Sequence, residues 1–405
     1  MSAWGYMEKQ AKENHGATLT TVALPTKTRM KPFAQLLVEV IRKNICDGCG
    51  ACIATCPVSV IDMKPAPGKD ELPSLVGRCI LCQYCYYSCP RIELHVEDSL
   101  RNQFPQSSKI TPYADIIGPY IEAYSARTKR EDIRARATDG GVVTSIMAYV
   151  LNSGMIDSSV SVRATKEQAW KGEPKVALTY EELLETGGTV FDITPVHEGL
   201  REAWEEYDSR SIGVVGLPCQ IFPIKKMQSM DYGYLQLGER VKLTIGLFCA
   251  GAFYYEGIVK ELLNKQKGIP AEKISKMNIK RGKFVVEKGR GKPLEIPLTE
   301  INAYRRVNCN SCPYGFSAWQ ADISLGSIGS KDDWTTALTR TPLGREAFKG
   351  AVEAGYIECV SLDDVSGSME AIVKHEMAKK RRLDAAKAAE AAAATQTPPS
   401  PAKPA

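Results

Sequence analysis

The sequence predicts an α/β fold, mixed α+β, in two parts: a small cysteine-rich N-terminal domain and a larger α/β domain behind it. Three observations predict it. Two cysteine runs of identical spacing fall within the first hundred residues. Behind them, short apolar runs bounded by turn signals alternate with helical patterns. The length of 405 residues exceeds what one small domain needs and is ample for a sizeable core.

Taken in order, residues 1–31 show no strong periodicity and read as a flexible arm. FAQLLVEVI, from Phe33 to Ile41, has the spacing of a short amphipathic helix that feeds the first cysteine run. Residues 32–100 form the cysteine-rich domain. Residues 101–117, which include Gln103, Pro105, Gln106, Ser107 and Ser108, read as a linker. Residues 118–375 form the mixed α/β domain. The pattern there gives a helix over Ile133–Leu151 with Gly-Gly near its start, buried strands at Ile212–Gly216 and Leu243–Phe248, and a short exposed strand at Phe284–Glu287. Residues 376–405 read as a helix that frays into a disordered Pro/Ala-rich tail. Their basic knot, Lys379, Lys380, Arg381 and Arg382, is expected to be a solvated helix face.

Composition narrows the class. A net charge of +5 permits an anionic ligand and does not call for nucleic acid. No eighteen consecutive residues are apolar, so no transmembrane segment is expected, and peripheral membrane association would come through a partner. The first residues lack the apolar region of a signal peptide. Thirteen cysteines without such a leader point to metal rather than disulfides, and to the reducing cytoplasm in which thiolates persist.

Cys46, Cys49, Cys52 and Cys56 are spaced C-x2-C-x2-C-x3-C, followed by Pro57. Cys79, Cys82, Cys85 and Cys89 repeat the spacing, followed by Pro90. This is the bacterial ferredoxin signature, present twice. Three closely spaced thiolates wrap one 4Fe–4S cube, and the fourth, turned away by proline, reaches the other. Cys46, Cys49, Cys52 and Cys89 are therefore assigned to one cube, and Cys79, Cys82, Cys85 and Cys56 to the second. Gly48 and Gly50 let backbone amides approach the sulfurs. Zinc held by CxxC pairs would not require the x3-C-P ending twice.

Five cysteines remain. Cys219 and Cys249 each follow an apolar run read as a strand, and ligands gather at strand ends in open α/β sheets. Cys309 and Cys312 form a CxxC. These four either complete a third cube or are small core residues, and spacing alone leaves both open. Cys359 reads as core. The histidines, His15, His95, His197 and His375, show no ligand spacing and read as structural or solvated.

Five segments together resemble the family of coenzyme F420 hydrogenase/dehydrogenase beta subunits: ATDGGVVTSIMAYVLNSGMID (137–157), VGLPCQI (215–221), IGLFC (245–249), NCNSC (308–312) and ADISLGSIGSKDDWTTALTRTPLG (321–344). The resemblance covers roughly residues 115–360. The segment FAQLLVEVIRKNICDGCGACIATCP is similar to the ferredoxin-type front end of members that pair with other redox units. The whole then reads as a bacterial two-cluster ferredoxin-like domain followed by a larger α/β flavin- and cluster-binding domain. The resemblance implies three 4Fe–4S clusters, the third at Cys219, Cys249, Cys309 and Cys312. It also implies FAD against Gly140, Gly141, Val142, Val143 and Thr144, and coenzyme F420 as substrate. Glycines at a helix start allow close backbone approach, and the helix N-terminus favours a pyrophosphate; no GxGxxG is present.

The activity so implied is a hydride exchange with F420 through FAD, with single electrons relayed through the cubes to or from a partner redox subunit or ferredoxin. The alternatives are a ferredoxin-linked flavin-dependent reductase of another small molecule and a pure electron-transfer subunit. No side chain is assigned an acid–base catalytic role. Arg134 and Arg136 are candidates to attract an anionic coenzyme, or simply solvated helix residues. Two positions depart from the family pattern. Val190 and Phe191 stand where Lys and Tyr are expected, and Pro313 stands where an aspartate often follows the CxxC. The first departure bears on the donor, since that lysine would face the acidic deazaflavin tail.

Overall fold

The computed structural model describes residues 30–66, 69–92, 104–105, 111–165, 167–229, 235–289 and 291–395. Nearly all of the expected arm, residues 101–103 and 106–110 of the linker, the end of the tail, His15 and His95 lie outside the described residues.

The N-terminal module starts with Phe33–Ile41, helical as expected: one α turn passes into a π turn and buries Phe33, Leu36, Val40 and Ile41. These side chains pack on Ile53, Ile61, Tyr86 and Ile92, in among the cysteines. A hairpin, β1 (Ile61–Ala66) and β2 (Lys69–Leu75), separates the two cysteine runs.

The larger part is an eight-stranded sheet. Its strands are β3 (Glu122–Thr128), β4 (Ser158–Ala164), β5 (Gly172–Ala177), β6 (Ile212–Gly216), β7 (Val241–Leu247), β11 (Ile323–Gly326), β12 (Thr335–Thr339) and β13 (Ile357–Ser361), in the order β13-β3-β12-β11-β7-β6-β4-β5. The four central strands β11, β7, β6 and β4 run parallel, and antiparallel strands flank them. Parallel strands are buried on both faces, so β6 reads IGVVG with every residue buried. One face is covered by α1 (Val142–Asn152); the other by α2 (His197–Glu205) and α3 (Pro218–Ser229); and α4 (Pro342–Glu353) joins α1. On α1, burial of Val142, Ile146, Met147 and Val150 is worth about 1.5–3 kcal/mol per side chain relative to exposure. Ala51 and Ala54 of the cysteine module enter the core formed by α2 and α3, so module and sheet share one core.

A separate antiparallel sheet, β8 (Ile274–Lys280), β9 (Lys283–Lys288) and β10 (Leu294–Pro297), packs on the helix Glu256–Gln266. The chain's last described helix is α5 (Ser368–Thr395).

Three expectations are corrected. Ile133–Leu151 is not one helix: Glu131–Arg136 ends at Ala137, and Gly141, at φ 71°, starts α1 afresh. The Phe284–Glu287 strand is not exposed. It lies within β9, the middle strand of its sheet, and Phe284 and Val286 are fully buried. The basic knot is a solvated face only in part: Lys380 and Arg381 are exposed, whereas Lys379 is buried and Arg382 half-buried. Its helix also begins well before residue 376.

Candidate iron–sulfur centres

The two runs fold the same way locally. Two and four residues after its first cysteine, each chain turns left-handed: Gly48 (φ 67°) and Gly50 (φ 85°), then Leu81 (φ 62°) and Gln83 (φ 73°). A four-residue helical turn follows each, Ala51–Ala54 and Tyr84–Tyr87. This conformation aims amides at sulfur. Leu81 N donates to Cys79 Sγ at 3.4 Å, and Val60 N to Cys56 Sγ at 3.5 Å. The Gly48, Ala51 and Arg91 amides do the same for Cys46, Cys49 and Cys89. At Gly50 a Cβ would stand 3.0 Å from the Pro195 carbonyl, so the first run needs glycine there for docking as well as for its φ.

Cys46, Cys49, Cys52 and Cys89 line one cavity. Three come from the first run and one from the second, as the crossed assignment requires. The thiols that act on Cys85 are Cys82, Cys79 and Cys56, the other crossed set; burial, and then these neighbours, push the Cys85 thiol up to about 12. Burial likewise raises Cys49, Cys52 and Cys219 well above the ordinary thiol value. Thiols so placed ionise only when a cationic core replaces the proton, which is what iron supplies.

The third set also converges. β6 and β7 are parallel neighbours with Gly216 opposite Gly246, so the segments leaving them emerge at the same sheet end. Cys219 lies there in the first turn of α3, and Cys249 two residues past β7. The turn Val307–Ser311 brings Cys309 and Cys312 to them. All four cysteines line one cavity. Ala252 N donates to Cys309 Sγ at 3.4 Å. Among the described residues no three His, Cys, Asp or Glu side chains converge tightly enough to hold a single metal ion. Zinc draws its thiolates to about 2.3 Å; a cube takes one thiolate per iron and holds the four sulfurs apart.

Sequence reasoning missed the charged residues between these cavities. Asp47 lines both the first and the third. Its carboxylate accepts from Arg91 Nε (2.8 Å) and Nη2 (2.5 Å), Asn308 Nδ2 (2.9 Å) and Tyr314 OH (2.9 Å). Arg91 also donates to Ser311 O and Asn308 O, both at 2.9 Å, which ties the cysteine module to the Cys309–Cys312 turn. Lys226, on the same helix as Cys219, is buried and donates to Cys89 O and, at 3.0 Å, to Ile92 O; burial lowers its ammonium to about 8. Lys379 lines the third cavity. Burial opposes its charge, but the sulfurs of Cys249, Cys312 and Cys219 outweigh it and raise the ammonium. No sequence pattern singles these residues out, because the groups they pair with are distant in the chain: Arg91 with Asp47, Lys226 with the Cys89 carbonyl and Lys379 with the Cys249 carbonyl.

His197 is structural: its Nδ1 lies 2.7 Å from Cys49 O, and burial drops the imidazole to about 4. Cys359 lies on the outermost strand β13 and packs against the core while only half-buried.

The glycine segment expected beside a flavin divides. Gly140 is buried, donates to Thr335 Oγ1 (3.1 Å) and accepts from Thr128 N (2.7 Å); a Cβ there would meet Ala126 O and Thr335 Oγ1 at 2.8 Å. Strand packing accounts for it. Val142 points into the core. Gly141 caps α1, and Val143 and Thr144 are half-buried at its N-terminus, so the helix end is the part open to a ligand. Arg134 and Arg136 are exposed and donate to Thr128 O (2.5 Å) and Leu184 O (3.4 Å). Phe191 stacks edge-on to Phe284 at 5.1 Å, which makes it part of the join to the three-stranded sheet.

Comparison with known proteins agrees with this layout. The family model for the N-terminal part of the coenzyme F420 hydrogenase/dehydrogenase beta subunit matches residues 123–201, the model for its C terminus matches 209–365, and a 4Fe–4S dicluster domain matches 45–95. The beta subunit of coenzyme F420 hydrogenase from Methanothermobacter thermautotrophicus is 34% identical over 269 residues, which are 66% of this chain and 94% of that one. The coenzyme F420-dependent sulfite reductase of Methanocaldococcus jannaschii is 32% identical over 343 residues, covering 81% of this chain and 49% of its own length. A chain of the F420-reducing NiFe hydrogenase complex from Methanosarcina barkeri superposes with a TM-score of 0.60 at 31% identity, over 65% of this chain and 89% of that one.

Proposed function

The chain belongs to the family of coenzyme F420 hydrogenase/dehydrogenase beta subunits and carries a 4Fe–4S dicluster domain, and on that premise we propose that it is an F420-linked oxidoreductase subunit with three 4Fe–4S sites and FAD. Electrons pass between F420 and a partner redox subunit or ferredoxin, in either direction. The observation that carries the reading is the convergence of Cys219, Cys249, Cys309 and Cys312 on one cavity that shares Asp47 with the cavity of the first cube. An electron arriving at the sheet end thus has a cysteine site next door in the module.

A flavin, stable with zero, one or two electrons, is the chemistry that joins hydride exchange to one-electron cubes. The chain's own contribution is placement. The N-terminus of α1, with Val143 and Thr144, offers main-chain donors to a pyrophosphate. The sulfurs receive amide hydrogen bonds, which set potential together with nearby charge. No acid–base side chain enters this reading.

The test is anaerobic purification with iron, sulfide and flavin counted, followed by mixing with reduced F420 while flavin absorbance is followed. The expected result is about twelve irons, three cubes of four, one FAD, and bleaching. Eight irons would remove the third site, and absence of flavin would leave an electron-transfer subunit. A flavin that fails to bleach would reject F420 as donor. Val190 and Phe191 favour that second reading, a flavin-dependent reductase of another small molecule, because Val190, at the lysine position, offers no cation to an acidic tail and Phe191 is committed to packing on Phe284.

A further inference from the structure

The helix α5 lies beyond the segment matched by the C-terminal family model, which ends at residue 365. Three residues on one stripe of it, Glu376, Lys379 and Arg382, face the loops that carry Cys249 and Cys312. The stripe grips main-chain atoms. Glu376 accepts from Phe316 N (2.8 Å) and Ser317 N (2.9 Å). Lys379 Nζ donates to Cys249 O (2.8 Å) and Gly315 O (2.6 Å) and also reaches the Cys312 thiol. Arg382 Nη2 donates to Ala250 O at 2.5 Å. The loops are built to receive it. Gly315 has φ 78°, and a Cβ there would stand 2.7 Å from a Glu376 carboxylate oxygen. From behind, the fully buried Arg340 donates to Ser317 O (3.1 Å), Pro119 O (2.8 Å) and Ser324 Oγ (2.6 Å).

A cube with four thiolates is an anion, and reduction adds another negative charge. A cation fixed in a dry wall therefore stabilises the reduced form more than the oxidised one. We propose that α5 is the latch and counter-charge of the third iron–sulfur site: Lys379 holds an ammonium against the cube and favours its reduced state, while Glu376 and Arg382 hold the two cysteine loops together. This rests on reading Cys219, Cys249, Cys309 and Cys312 as the cube's ligands.

The full chain, purified anaerobically, is titrated with redox mediators while the EPR of its reduced cubes is recorded and iron is counted. Lys379→Met is expected to keep about twelve irons and to lower one midpoint potential by about tenfold in the one-electron equilibrium, ~59 mV. Lys379→Arg is expected to restore it. Twelve irons with all potentials unmoved in Lys379→Met overturn the counter-charge and leave the third cube standing. Eight irons in the unaltered chain overturn both. If Lys379→Met alone drops to eight irons, Arg382→Gln decides: a smaller downward shift of the same potential supports the proposal, and an unmoved potential overturns it.

Discussion

Asp47 shows how much one side chain can carry here. It sits beside a cysteine of the first run and is 4% exposed, and Arg91 meets it with 6% side-chain exposure. Removing one charge of such a pair leaves the other buried and uncompensated, which costs about 3–5 kcal/mol. Asp47→Asn is therefore expected to lower the unfolding free energy read from anaerobic urea melts by that order while leaving the cysteines in place. The left-handed residues give a second case. Gly48 and Gly50 announced their turn in the sequence; Leu81 and Gln83, in the same conformation, did not. The N–H···S geometry imposes the turn whether or not glycine is there, and a non-glycine residue bears about 1 kcal/mol of strain for it. Leu81 is exposed and contributes little packing, so Leu81→Gly is expected to stabilise the chain by about 1 kcal/mol in the same denaturation assay.

Among the elements, those decided by local pattern were legible: Phe33–Ile41, Ile212–Gly216 and the strand before Cys249 follow from apolar period and bounding turns. What failed depended on distant partners. The break at Ala137–Gly141 exists because Gly140 must lie on β3 and β12, and β9 is buried because a helix close before it in sequence folds back to cover it. The join between hairpin and α2 carries a pH dependence that no pattern showed. Glu198, on α2, faces Asp62 and Glu71, which are themselves paired with Lys64 and Lys171. Burial first, and then those two carboxylates, push Glu198 up to about 7 from its ordinary 4.5. The folded state thus binds the proton more tightly than the unfolded one. The contribution of Glu198 to stability is full below about 4.5 and is lost as pH rises through 7. Glu198→Gln is expected to match the parent at pH 5 and to exceed it at pH 8, by on the order of 2 kcal/mol for a half-buried group, in parallel urea melts.

At the scale of the whole molecule, the first and second cysteine sites differ in exposure. Cys79 and Cys82 are half-buried beside exposed Leu75, Val76, Ile80 and Leu81, whereas Cys49, Cys52 and Cys89 are buried. An iron chelator added under mild oxidation is expected to take the irons of the second site before those of the first; equal rates at the two would contradict the difference in exposure. The eight cysteines in two runs, the firmest reading of the sequence, lie within the segment that matches a 4Fe–4S dicluster domain, and four of them line one cavity. The third set needed the sheet, because only parallel pairing of β6 with β7 shows that Cys219 and Cys249 share an end.

The cavity that Cys89 completes for the first run bears on how the protein is made. A nascent chain that has produced only the first run owns three corners of one cube and one corner of another, and can close neither. Iron loading must therefore wait until both runs have left the ribosome and the hairpin between them has formed. The module should then load as a pair, and a fragment cut between the runs should carry no stable cube at all.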